Sequence, residues 1–147
     1  RRRKRMPSPR KERIAHRVKD VVSKLEDFVE DGEFFSLFTP TNLLSEALEQ
    51  GTISIPLIPI KDNRGELEYY DSFDSDGFIK KYRYQLRDST KTIRYRFESK
   101  DDLNDKDHMH ICTEYNGERK NHRKPRARPE LDEIFSLFNT FDTNDKK

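Results

Sequence analysis

Between Phe78 and Cys112 the residues alternate in kind, and few folds other than a sheet can accommodate that. Phe78, Tyr82, Tyr84 and Leu86 fall on one set of alternate positions, with Lys80 the one charge among them, while Lys81, Arg83 and Arg87 fall on the other. After a polar turn at Asp88-Ser89-Thr90-Lys91, Ile93, Tyr95 and Phe97 alternate with Thr92, Arg94 and Arg96. Successive side chains of a strand point to opposite faces, so the pattern predicts an antiparallel hairpin with one apolar and one cationic face. His108-Met109-His110-Ile111-Cys112 alternates likewise: Met109 and Ile111 suit a core, which leaves His108, His110 and Cys112 on the opposite face. Three such strands in one sheet place arginines and histidines together on its open side, and that surface is the candidate site.

The rest of the chain supplies what the sheet packs on. Ser8-Pro9 reads as an N-cap followed by proline at the first helical position. Ile14, Val18, Val21, Val22, Leu25 and Val29 then recur at helical spacing, and Asp31-Gly32 ends the helix. Phe34, Phe35, Leu37 and Phe38 form an aromatic knot ahead of a second cap signal at Thr39-Pro40, and Leu43, Leu44, Ala47 and Leu48 predict a short second helix closed by Gly51. Thr52 to Ile60 is apolar and β-branched but holds Pro56 and Pro59, so it is an edge strand or an extended crossover. Lys61 to Gly65 turns the chain, Glu66 to Tyr70 is a further strand, and Asp71 to Gly77 is a loop. Pro129 opens a last helix in which Leu131, Ile134, Phe135 and Phe138 cover the sheet.

The expected architecture is therefore α+β: an N-terminal helical pair, an antiparallel sheet of four to five strands and a C-terminal helix on one sheet face. Residues 1–8 are expected to be a disordered basic arm. Residues 9–141 form one domain, helical over 9–51 and sheet plus closing helix over 52–141, and 142–147 is a tail. Length suits a single domain: 147 residues, of which 31% are hydrophobic, with 10 Phe and 6 Tyr supplying a small aromatic core.

Charge is unevenly spread. The net value is only +2, yet residues 1–24 carry 11 Lys/Arg against 2 acids, residues 25–76 carry 2 against 13, and residues 108–129 carry 6 against 2. Blocks of this kind attract phosphate backbones. Arg83, Arg94 and Arg96, with Lys81 and Arg87 beside them, need either cross-strand acids or a polyanionic ligand, because like charges opposite one another destabilise a ladder. Arg119, Lys120, Arg123, Lys124, Arg126 and Arg128 lie in what reads as a basic loop over 118–128, with no evident core role. Nucleic acid, RNA above DNA, is the expected partner. A non-catalytic binding module, or a basic subunit docked in a nucleoprotein complex, is the alternative.

His108 and His110 are the candidate proton carriers for phosphodiester cleavage, with Glu98 orienting one imidazole. Neither a cofactor nor a metal is expected: zinc sites ordinarily take four ligands, often in longer-spaced pairs, and only the distant His16 and His122 remain to extend the His108-x-His110-x-Cys112 set. The single Cys excludes an internal disulfide. No apolar run reaches the roughly 18 residues of a membrane span, and the Arg1-Arg2-Arg3-Lys4-Arg5 start lacks a secretory apolar stretch, so a cytoplasmic, reducing setting is expected.

Tyr82-Arg83-Tyr84, Arg96-Phe97-Glu98, His108-Met109-His110 and Pro129-x-Leu131-x-Glu133-Ile134 together resemble the TumE-like toxins of prokaryotic toxin–antitoxin pairs over roughly residues 66–140. That family shows Tyr-Arg-Tyr, an Arg-aromatic-Asp strand, a His-rich segment ending in His-x-His, and a C-terminal amphipathic helix. Glu98 stands here where the family favours Asp, and the family's earlier His pair in a Pro-rich loop is missing, residues 99–107 being acidic instead. The resemblance implies a small cytoplasmic prokaryotic protein with a cognate antitoxin, acting on nucleic acid. The element order is also similar to the RelE-type layout, whose members cleave mRNA with basic and imidazole side chains.

Overall fold

A computed structural model describes residues 8–30, 39–100, 106–115 and 117–141. The basic arm before Ser8, the Asp31-Gly32 stop, the aromatic knot at 34–38 and the tail from 142 lie outside the described residues.

Helix α1 runs from Pro9 to Phe28, with Ser8 as its extended N-cap and Pro9 at the first position. Ile14, Val18, Val21, Val22 and Leu25 are its buried stripe, spaced as one face of a helix requires. Helix α2 (Pro40–Gln50) begins where the Thr39 hydroxyl accepts the Asn42 backbone N–H at 3.1 Å. It stops at Gly51, whose left-handed φ of 72° costs a residue without Cβ nothing.

Six strands follow in one antiparallel sheet: β1 (Thr52–Ile60), β2 (Gly65–Phe73), β3 (Ile79–Arg87), β4 (Ile93–Glu98), β5 (His108–Tyr115) and β6 (Glu118–Pro125). Each pairs with its neighbours in sequence, giving the order β1-β2-β3-β4-β5-β6. The proline-bearing β1 is an edge strand, where a missing N–H does least harm. Helix α3 (Leu131–Leu137) is the last α-helix among the described residues and continues as a short 3₁₀ turn over Phe138–Thr140. The α+β class follows directly from this arrangement.

One apolar cluster joins the stripe of α1, Leu43 and Ala47 of α2, the inward residues of β1–β4, and Leu131, Ile134, Phe135, Phe138 and Phe141. Burying each such side chain contributes about 1.5–3 kcal/mol relative to exposure. At the centre lies a charge. Asp71, fully buried, accepts hydrogen bonds from the hydroxyls of Tyr69 and Tyr84 and from Arg17 Nε at 3.1 Å, while Arg17 also donates to Tyr84 Oη at 3.1 Å. A buried carboxylate needs such partners. Burial and the neighbouring Asp71 charge push the Tyr69 and Tyr84 hydroxyls well above their ordinary pKa.

Three expectations are corrected here. The sheet has six strands among the described residues, because 118–125 is strand rather than loop. Its eight residues are all exposed, so no apolar alternation marked it. Asp71 to Phe73 belongs to β2, where Asp71 points into the core between Tyr69 and Phe73. Phe78 is 55% exposed and precedes β3, its ring covered by the Arg13 guanidinium at 4.2 Å from the centroid.

The basic face of α1 also has an internal use. Arg10 Nε and Arg13 Nη1 donate to the backbone carbonyls of Asp74 and Asp76, at 3.3 and 2.7 Å, and so fasten the β2–β3 loop, while Arg17 enters the Asp71 network.

Candidate functional site

The helices occupy one side of the sheet, and the register decides what meets on the other. Arg83 of β3 stands opposite Glu98 of β4, and Glu98 opposite His108 of β5. In the next row Gln85 faces Arg96, Arg96 faces His110, and His110 faces Arg123 of β6. Met109, paired with Phe97, packs against the apolar cluster, and Ile111, paired with Tyr95, shares its parity, so the histidines share the open face with Arg83 and Arg96.

Glu98 is the hub of that face. Its Oε2 lies 3.2 Å from His108 Nε2 and 3.9 Å from His110 Nε2, and its Oε1 lies 3.5 Å from Arg96 Nε. The two imidazoles meet edge to face, 5.0 Å between centroids. His108 is 3% exposed and held from behind, since its Nδ1 donates to the Lys106 carbonyl at 3.1 Å. His110 is half-buried, and its Nδ1 is buried without a hydrogen-bond partner. Burial lowers the His110 pKa, Glu98 pulls it back, and His108 and Arg96 push it down again, the net direction being downward. A lowered imidazole is neutral at pH 7, with a lone pair to offer. Asp107 sets the entry to β5, accepting from the Lys100 N–H at 2.9 Å and the Tyr82 hydroxyl at 3.1 Å.

Beside the cluster a cleft of about 910 Å³ is lined by Tyr70, Lys81, Arg83, Glu98 and Lys100, among others. On the other side a smaller cleft of about 200 Å³ brings together Arg87, Ile93, Arg96, His110, half-buried Cys112 and Arg119. Cations thus flank the carboxylate and imidazoles on both sides. Lys81, Arg83, Arg87, Arg96, Arg119 and Arg123 belong to this face.

The other cations placed on it by sequence do not. Arg94 turns away because a bulge interrupts the β3–β4 ladder. The partner of Arg87 is Ile93, which lines the small cleft, and Arg94 goes to the helix side. There its guanidinium lies 5.6 Å from the Phe141 ring centroid and pairs with Asp88 at 3.3 Å. Arg126 is paired with Glu133 of α3, and Arg128 lines a hollow with Arg13 and Phe73 of the helical side. Lys120 and Lys124 alternate with Arg119 and Arg123 and so take the reverse face of β6.

The arginines are also less free than the hairpin alone implies. Glu68 of β2 accepts from Arg83 at 2.9 Å, and Gln85 accepts from Arg96 at 2.8 Å. Glu68, Gln85 and Tyr70 were not singled out from sequence. Their strand parity was readable, but not the pairing of β2 with β3. His16 is exposed on α1 beside Asp20, His122 is exposed on β6, and neither joins the cluster. No helix among the described residues is long and apolar enough to cross a membrane.

No protein-family model matches the chain, and no curated protein or solved structure matches it. The likeness to the TumE-like toxins therefore rests on its own short motifs.

Proposed function

We propose that the open sheet face binds RNA and that Glu98, His108 and His110 are its reactive centre. The observation that carries this reading is the register: two imidazoles and a carboxylate converge between Arg83 with Lys81 on one side and Arg119 with Arg123 on the other. Guanidinium groups hold phosphate oxygens and stabilise charge that develops on them. Tyr70, 36% exposed on the wall of the larger cleft, offers a ring for a splayed base, which favours single-stranded RNA over duplex. His110, neutral and half-exposed, is the group placed to accept a proton, and buried His108 is the better-fixed partner. The toxin-like setting is part of the same proposal: a cytoplasmic prokaryotic protein whose activity a cognate antitoxin restrains.

The partnering of Arg83 with Glu68, and of Arg96 with Gln85 and Glu98, favours a second reading, in which the face binds nucleic acid or docks in a nucleoprotein assembly without chemistry. Purified protein incubated with single-stranded RNA and duplex DNA, with and without ribosomes, separates the two. Cleavage that falls by about 10²–10⁴ in His110→Ala while the mobility shift survives supports the first. A shift with no cleavage in any mixture leaves the binding module, and neither shift nor cleavage overturns both.

A further inference from the structure

We propose that Glu98, His108 and His110 form a binding site for one first-row divalent metal ion, with two imidazole nitrogens and one carboxylate oxygen as ligands. The alternation of residues within β5 pointed away from a metal, because it offers only ligands two residues apart. The third ligand comes from the neighbouring strand, and only the β4–β5 register supplies it.

The first ground is the orientation of His108. The Lys106 carbonyl can only accept, so at 3.1 Å it takes the hydrogen of His108 Nδ1. Nε2 is then the ring nitrogen left to face Glu98 Oε2, at 3.2 Å. A ring nitrogen and a carboxylate oxygen so placed share either a proton or a metal ion.

The second ground is the count of donors. A proton bridges two atoms, whereas here three groups converge, with one ligand atom from each lying within 4.8 Å of the others. Metal–ligand bonds of about 2.0–2.2 Å bring such atoms to roughly 3–3.5 Å apart. The His108–Glu98 separation of 3.2 Å already fits, while His110 stands 3.9 Å from Glu98 and must draw in when the ion binds.

The surroundings are those of a ligand set held in place. The carbonyl behind His108 orients its ring, and Arg96 takes Oε1 of Glu98, leaving Oε2 for the ion. Outer partners of this kind fix ligands in metal sites. Arg96 and Arg123 also put positive charge near the ion, which weakens binding and makes an ion-bound water more acidic. Two nitrogens and one oxygen suit Zn²⁺ and its first-row neighbours rather than Mg²⁺ or Ca²⁺, which seek oxygen. Three protein ligands leave positions for water. If the face also binds RNA, the ion supplies a Lewis acid to the reactive centre, but metal binding itself does not rest on that reading.

The test needs no nucleic acid, so it can succeed where the RNA reading fails. The tag-free chain, stripped with a chelator and dialysed, is titrated with Zn²⁺ and, separately, with Mg²⁺ in a calorimeter. The expected result is one Zn²⁺ per chain with Kd of about 1 μM or tighter. Binding should weaken at least about tenfold in both Glu98→Gln and His110→Ala, while His122→Gln binds as the wild type does. Absence of saturation below about 100 μM, equal binding of Mg²⁺, or wild-type binding by both variants overturns the site. If a variant fails to fold, NMR decides with the wild type alone: Zn²⁺ must shift the ring signals of His108 and His110 together, and a titration that moves neither overturns the proposal.

Discussion

Arg17 and Asp71 meet 3.1 Å apart between α1 and β2, with Asp71 fully buried and the Arg17 side chain only 13% exposed. Both tyrosine hydroxyls that complete the carboxylate shell come from the sheet. The pair is thus the polar pin between helix and sheet. Removing one partner strands the other charge in a dry environment. We expect Asp71→Ala and Arg17→Ala each to lose about 3–5 kcal/mol in urea unfolding. The double variant should lose clearly less than the sum, since each single change leaves an orphan that the other removes. Additive losses would mean that the two residues act independently.

The buried tyrosines have an alkaline signature. Burial first, then the charge of Asp71 or Asp107, raises the pKa of Tyr69, Tyr84 and Tyr82 in the folded protein. The fold therefore prefers their neutral forms. Their contribution to stability is present in full below the unfolded value of about 10 and is lost as pH rises through the folded values. In a spectrophotometric titration three of the six tyrosines should stay un-ionised above pH of about 10 until the chain unfolds. Smooth ionisation of all six with the fold intact would contradict the buried network.

Arg83 and Arg94 look equivalent in the alternation but lie on opposite faces. Arg83→Ala should weaken RNA binding and change stability by no more than about 0.5 kcal/mol. Arg94→Ala should leave RNA binding as it is and cost up to about 1 kcal/mol, the range for an exposed ion pair. Paired mobility-shift and melting measurements read both, and equal loss of binding in the two variants would count against the bulge-defined face.

Gly77 sits at φ 89°, where an added Cβ would come within 2.7 Å of the Arg10 carbonyl oxygen. Gly77→Ala should destabilise by more than about 1 kcal/mol, lowering Tm, because both the backbone angle and the helix–loop contact resist it. An unchanged Tm would show that the β2–β3 loop is not held against α1 in solution.

How far the sequence disclosed this molecule depended on whether a residue's setting leaves a trace in its neighbours. Ile14 to Leu25 and Tyr82 to Phe97 bury one face and expose the other, so period and class were legible. Strand β6 is wet on both sides and carries no period, hence its reading as a loop. Arg94 was misplaced because one bulged residue inverts the parity of what precedes it in β4. Asp71 was taken for a loop residue because an acid inside a strand core makes sense only beside Arg17, 54 positions earlier. For the cluster, parity alone put His108 and His110 on one face. That Glu98 lies opposite His108 is a matter of register between strands, which alternation within a strand does not encode.

The exposed β6 edge bears on how the protein opens. None of its residues is buried and its backbone pairs with β5 alone, and such elements exchange their amide hydrogens at the lowest free energies. Detachment of β6 would uncover His110, whose cross-strand partner is Arg123, and would remove no residue from the apolar cluster. The cluster of Glu98, His108 and His110 therefore lies next to a strand that contributes no residue to the apolar core.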